Sequence, residues 1–353
     1  MFESILETVQ ENVETVRSII RTNEELRKLL FSKDFIIDED NQYYQQLSLI
    51  KQLVPNTVNW RLYDHYSVVM RLYAIYEQFV KELITDWSNY LPEIFSNYSE
   101  LPEKVRKTHQ IGVSKLLMEL QKDKTRFEHL SVDKVIRGLY LGLSENEDDF
   151  ELLADAFILH EQNLRKEILE TLLSKAGISD SWKWVEKHRK IKDFLGNENT
   201  AEGQLKEIID YRNDAAHGGL IEIDNVLSEN QLVDLCTFIE ALCQALAELV
   251  TYKIIEKQKL IGQIKEIGKI SRWFDKLQAC QAKIQNTQLS VGEELFLVSE
   301  DTAYCKSVKI ESIMDKHDNQ QQKINLMSEQ VLGLKFNSSA KKGLIIFQYV
   351  PKN

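Results

Sequence analysis

Proline and glycine are scarce in these 353 residues, at 4 and 13 respectively. So few helix breakers and turn formers argue against a mainly β protein and favour long helices. Cysteine is scarce too. Cys236, Cys243, Cys280 and Cys305 show no CxxC spacing, so neither a zinc site nor a disulfide framework is expected. Cys236 and Cys243 lie seven apart on an apolar helix face and read as buried small hydrophobes. No uncharged run reaches about 18 residues, and Met1-Phe2-Glu3-Ser4 opens no signal-peptide pattern. A soluble, cytoplasmic protein without membrane contact is therefore expected. Positive charge is in deficit: the net charge is −11. A nonspecific nucleic-acid coat needs the opposite sign, so any RNA contact must use local basic patches. P-loop, GxGxxG, HExxH and paired-carboxylate metal motifs are all missing, and neither cofactor nor metal is expected.

What is present is helical periodicity. Residues 1–31 place Ile5, Val9, Val13, Val16, Ile19 and Ile20 at three-to-four spacing. Further helices are expected over 43–54, from Trp60 to about Trp87, over 101–130, over 163–178 and from Leu227 to about Ile270, with helix continuing near 271–284. After about 288 the pattern changes to alternation, in 289–298, 307–313, 330–336 and 343–350. Several short strands in so short a stretch suggest a small barrel. The expected organisation is mainly α: a helical domain over 1–284, then a small β-barrel domain over 285–353.

One stretch organises the chain: Ile208-Ile209-Asp210-Tyr211-Arg212-Asn213-Asp214-Ala215-Ala216-His217-Gly218-Gly219. An apolar helix runs into it and two glycines stop it. At about 100° per residue, Ile208, Arg212 and Ala216 share one face, and Asn213 and His217 the next. Arg212 and His217 leave a straight helix roughly 140° apart, so either the arginine curls round or the helix loosens near Gly218. Ala215 and Ala216 leave room for a second helix to approach. Glu77, a carboxylate within the aromatic stripe of the 60–87 helix, needs a partner and is a candidate to orient Arg212 or His217. Asp210 is a supporting residue. Residues 181–192 interleave Trp182 and Trp184 with Lys183, Lys187, Arg189 and Lys190. Cations with stacking rings suit single-stranded RNA, while an ordinary solvated face with core-facing tryptophans is the competing reading. The remaining histidines are isolated in sequence, and most are expected at the surface.

The Arg212–His217 stretch, with a polar residue after the arginine and glycine after the histidine, resembles the Arg-x4–6-His motif of HEPN superfamily ribonucleases and toxins. The segment 71–80 and the helix over 163–178 look like the helices of RiboL-PSP and MAE-type members. The resemblance implies a HEPN-type helical bundle and metal-independent RNA cleavage, in a toxin or anti-phage defence effector. Cleavage by the 2′-hydroxyl needs a base, a cation for the phosphorane charge and an acid for the leaving oxygen. His217 can be base or acid, Arg212 can hold phosphate oxygens, and Asn213 can fix the imidazole tautomer or bond the phosphate. Related proteins meet as two-fold dimers, which would supply two histidines and implies a homodimer here. The products would be a 2′,3′-cyclic phosphate and a 5′-hydroxyl, from a tRNA or mRNA, and an antitoxin or defence-system protein is an implied partner. In members carrying Arg-x4-His-x-Tyr the tyrosine is modified by an antitoxin; Gly219 stands at that position here. Two alternatives stay open: a catalytically silent HEPN scaffold, or a plain end-of-helix cap using Arg212 and His217. The tail's Val-Gly-Glu-Glu, Lys-Ile-Glu-Ser-Ile, Gly-Leu-Lys-Phe and Lys-Lys-Gly loosely resemble the second, β-barrel domain of translation GTPases.

Overall fold

The computed structural model describes residues 2–32, 42–122, 127–143, 150–159, 162–196, 199–217, 226–317 and 319–350. Its centre is α10 (Glu229–Leu260), opened by a capping box in which Ser228 and Gln231 satisfy each other's backbone amides. From Leu235 to Ile255 this helix is buried on nearly every side. A helix apolar all round must be covered all round. α1 (Glu3–Phe31) does so with Ile5, Val9, Val13, Val16 and Ile20, and α3 (Thr57–Ile94) with its aromatic stripe, including Tyr73, Tyr76 and Phe79. The short helices α7 (Ser181–Lys187) and α8 (Arg189–Leu195) close another side. α2 (Gln42–Leu53), α4 (Glu103–Glu119), α5 (Val132–Leu143), α6 (Lys166–Lys175) and α9 (Ala201–His217) complete the helical part. α4 is shorter than the helix expected over 101–130, because the polar run after Leu120 ends its apolar face; α5 was not anticipated. Gly112 lets α4 touch the 154–156 turn, since a Cβ there would lie 2.2 Å from the Ala156 carbonyl oxygen. Among the described residues no helix is long and apolar enough to cross a membrane.

The sheet begins earlier than the alternation suggested. Gly262, at φ 75°, ends α10, with the Gln263 amide donating to the Gln258 carbonyl as in a Schellman motif. Residues 264–284, expected as helix, are instead β1 (Ile264–Phe274) and β2 (Ala279–Ile284). The error has a physical source. Ile264, Ile267 and Ile270 recur every third residue, which reads as a helix, but bulges at Glu266/Gly268 and Ile270/Arg272 let a strand bury that spacing. Gly268 is required there, because a Cβ would lie 1.9 Å from the Lys283 carbonyl oxygen. The expected division at 284/285 therefore falls inside the barrel.

β3 (Thr287–Ser290), β4 (Glu294–Ser299), β5 (Tyr304–Met314), β6 (Gln320–Gln321), β7 (Lys323–Leu326), β8 (Gln330–Phe336) and β9 (Ile345–Tyr349) follow. The order β4-β9-β1-β2-β8-β5 closes back onto β4, giving a six-stranded antiparallel barrel without open edges. β6 extends β5, and β3 pairs with β7 beside the ring. Leu295, Leu297, Ile310, Ile313, Leu332, Leu334 and Ile346 fill the interior.

Barrel and bundle share one apolar cluster, in which Phe296, Val298, Ala303, Cys305 and Phe347 join the residues of α10. At its heart Glu248 is buried. Its carboxylate accepts from the Gln244 side chain at 2.8 Å and from the Cys305 amide of β5 at 3.0 Å. His188 Nε2 and Arg189 lie 3.5 and 3.7 Å away, and the Arg189 guanidinium covers the Tyr304 ring at 4.1 Å. Burial pushes the Glu248 carboxyl up, but His188, Arg189 and the Cys305 amide together hold it below its ordinary value. A depressed carboxyl stabilises the fold above its unfolded pKa and loses that contribution as pH falls through the folded value. Glu248→Gln should therefore cost about 3 kcal/mol at pH 7, and its penalty should shrink in acid, as read from urea midpoints at pH 7 and pH 4.

Candidate functional site

α9 carries Ala201, Leu205, Ile208 and Ile209 into the core against α3, and its last two turns become polar. Arg212 continues the apolar face, so its guanidinium is drawn inward and lies 5.2 Å from the Tyr73 ring centroid on α3. Its Nη1 donates to Asn213 Oδ1 at 3.2 Å, while its buried Nε has no hydrogen-bond partner among the described residues. No carboxylate of the described residues pairs with it. The site thus holds a cation whose charge and remaining N–H groups are unspent.

Asn213 Oδ1 also accepts from the Asn163 side chain at 2.8 Å. With its oxygen held by two donors, Asn213 has its amide NH2 left to give. Sequence reasoning did not single out Asn163 or Tyr73. Asn163 belongs to a segment clasped from both sides. The Leu164 amide donates to the Tyr73 hydroxyl at 3.0 Å, and the Tyr76 hydroxyl donates to the Leu164 carbonyl at 3.1 Å. Arg165 pairs with Asp210 at 2.9 Å, a half-exposed contact worth about 0–1 kcal/mol. Only the aromatic stripe signalled this clasp, and it equally signalled plain packing. Burial raises the Tyr73 hydroxyl above its ordinary value; Glu77 adds to that, while the Leu164 bond and Arg212 oppose it.

His217 is exposed on the last turn of α9. The helix remains regular to that point, so Arg212 and His217 leave the axis about 140° apart, one against α3 and the other toward solvent. Gly218 and Gly219 lie outside the described residues. Glu77 pairs with Lys81, one turn along α3, at 2.7 Å rather than with Arg212 or His217. Trp182 and Trp184 are buried, the latter stacked on Tyr252 at 4.9 Å, so neither ring is available to a nucleobase. Their N-terminal helix face turns inward because apolar α10 needs cover. Arg189 is committed to Glu248 and Tyr304; Lys183 and Lys190 are exposed and Lys187 half-buried. Among the described residues no group of three His, Cys, Asp or Glu side chains could hold a metal ion.

Of the six isolated histidines, most of them expected at the surface, His65, His109 and His188 are wholly buried. His109 accepts from the Leu153 amide at 3.0 Å, and His188 joins the Glu248 cluster. His65 on α3 stands beside the motif helix, edge-on to Tyr211 at 4.7 Å. It accepts from the Leu227 amide at 3.0 Å and so ties the start of α10 to α3. His129 and His317 are exposed, and His160 lies outside the described residues.

A family model described as RiboL-PSP-HEPN matches residues 34–252, from before α2 into α10 and including α9. No protein of curated function matches the chain. The C-terminal domain of a putative U32 peptidase from Geobacillus thermoleovorans is similar at 13% identity and a TM-score of 0.22, over 25% of this chain and 93% of that one. Its selenomethionine variant gives 13% identity and a TM-score of 0.21, over 23% of this chain and 96% of that one.

Burial holds the His65 imidazole at about 4, against the opposing pull of Asp214. A histidine depressed by burial keeps its stabilising effect above the unfolded value near 6.5 and loses it as pH falls toward the folded one. Stability should therefore decline from pH 6.5 to 4.5. His65→Asn, which preserves an acceptor for Leu227, should flatten part of that decline in thermal melts, leaving the share due to His109, also held at about 4.

Proposed function

Because the chain belongs to the RiboL-PSP-HEPN family, whose domain goes with nuclease and RNA-related roles, we propose that it is a metal-independent endoribonuclease. The observation that carries this reading is Arg212, a cation held over Tyr73 with no carboxylate among the described residues to neutralise it, beside an Asn213 whose amide NH2 has no partner among them. Such a pair suits the two non-bridging oxygens of a phosphodiester. In this reading a base takes the proton of the 2′-hydroxyl, and the oxygen attacks phosphorus. Arg212 stabilises the phosphorane charge, and an acid protonates the departing 5′-oxygen. A 2′,3′-cyclic phosphate and a 5′-hydroxyl result. His217 serves as one of the two proton-transfer groups.

One imidazole cannot be acid and base in the same step. A homodimer in which the ends of two α9 helices face each other would supply the second histidine. The angular separation of Arg212 and His217 favours that arrangement, since the solvent-facing His217 of one chain can approach the phosphate held by the other. A toxin or anti-phage effector, with tRNA or mRNA as substrate and an antitoxin as partner, is the setting proposed.

Arg212→Ala and His217→Ala should each lower cleavage of a generic RNA at least about 100-fold, and Asn213→Ala should lower it less. Cleavage should persist in EDTA and leave cyclic phosphate ends, read by end-specific labelling. A folded wild-type protein inert on RNA under these conditions would favour the silent scaffold. Sedimentation should give a dimer, and full activity in a monomer would remove the two-histidine mechanism.

A further inference from the structure

A cleft of about 340 Å³ opens where α1, α8, α10, β5 and residues 337–338 meet, away from the tyrosine clasp and the end of α9. That volume is at the lower end for small-molecule sites. The acceptors on its inner wall are engaged, while the carboxylates of Glu3 and Glu7 stand at its mouth. Glu248 is bonded as described; the Thr251 hydroxyl donates to Ala247, and Asn337 Oδ1 accepts from the Lys309 amide at 2.8 Å. On that inner wall the groups without a partner among the described residues are donors: the ammonium groups of Lys306 and Lys190, the Asn337 side-chain NH2 and the Ser338 hydroxyl.

Lys306 is the telling group. It projects from β5 into the junction, and no described carboxylate lies within ion-pairing distance of it. Burial lowers its pKa; Glu248 and, more weakly, Glu3 oppose that, and Arg189 and Lys190 add to it. Glu248, the buried anion nearest by, already shares its charge with Arg189. A desolvated ammonium without its own counter-ion is costly in an empty cleft and gains most from an anion entering it. The exposed Glu3 and Glu7, one turn apart on α1, stand at the rim. Their repulsion grows with the number of phosphates brought past the rim, so the cleft suits a ligand with one phosphate rather than RNA.

We propose that this junction cleft binds a small phosphate monoester, with Lys306 and Lys190 on the phosphate oxygens and Asn337 and Ser338 donating beside them. The ligand would bridge barrel and bundle, touching α10 and β5 at once. This site is distinct from the residues proposed for RNA cleavage.

The test is calorimetric titration of the full-length protein with AMP, inorganic phosphate and adenosine. AMP should bind at one site per chain and adenosine should give no heat. Lys306→Met should weaken AMP binding at least about tenfold, the loss expected for one charge-assisted contact, and Lys306→Arg should largely restore it. Lys190→Met, at an exposed position that endangers folding less, should also weaken binding severalfold. The doubly substituted Arg212→Ala, His217→Ala protein should bind AMP as the wild type does, whether or not it cleaves RNA. The proposal is overturned if AMP and adenosine bind alike, or if neither AMP nor phosphate binds at about 10 mM. It is equally overturned if both lysine variants melt and bind as the wild type does, or if only the Arg212 and His217 substitutions abolish binding.

Discussion

α10 is buried on nearly every side from Leu235 to Ile255, and a helix so placed needs neighbours all round, including partners for the polar groups it takes inside. α1 and α3 cover two of its sides, α7 and α8 a third, and strands of the barrel the last. The same demand turns Trp182 and Trp184 inward and removes them as nucleobase platforms. Barrel and bundle are consequently not beads on a string. They share a core, and the buried Glu248 is the point where a helix side chain satisfies the backbone of a strand.

The motif helix depends on this core at second hand. α3 rests on α10 and presents Tyr73 and Tyr76, which fasten Leu164 by both its amide and its carbonyl. Asn163, thereby fixed, orients Asn213, and Tyr73 supports Arg212. Each contact is modest, about 0.5–1.5 kcal/mol for an ordinary hydrogen bond. Their combined effect is preorganisation: the guanidinium is held without being neutralised, the state in which an incoming phosphate gains most from it. The buried Arg27, by contrast, is paired with Asp64 and Glu24.

Arg212 on α9 and Lys306 at the junction stand in different parts of the molecule, each without a carboxylate partner among the described residues. Overall acidity, at −11, makes each a local exception and gives each a restricted range of anions. The first stands on α9, five residues before the exposed His217. The second lies in a bounded cleft rimmed by carboxylates.

By itself the sequence determined the class, the long amphipathic helices, the change to strands in the tail, and the placing of Arg212, Asn213 and His217 on the last turns of one helix. These are local properties: periodicity, the scarcity of glycine and proline, and residue order along one turn. Where the same local pattern serves two structures, it misled. Isoleucines at three-residue spacing in β1 imitate a helix until bulges and the close approach at Gly268 are known. Only tertiary structure decided which partner each charge found: Lys81 for Glu77, Glu248 for Arg189, and for Arg212 no carboxylate among the described residues. Partners distant along the chain are brought together by burial, and burial belongs to the whole fold rather than to any segment of it.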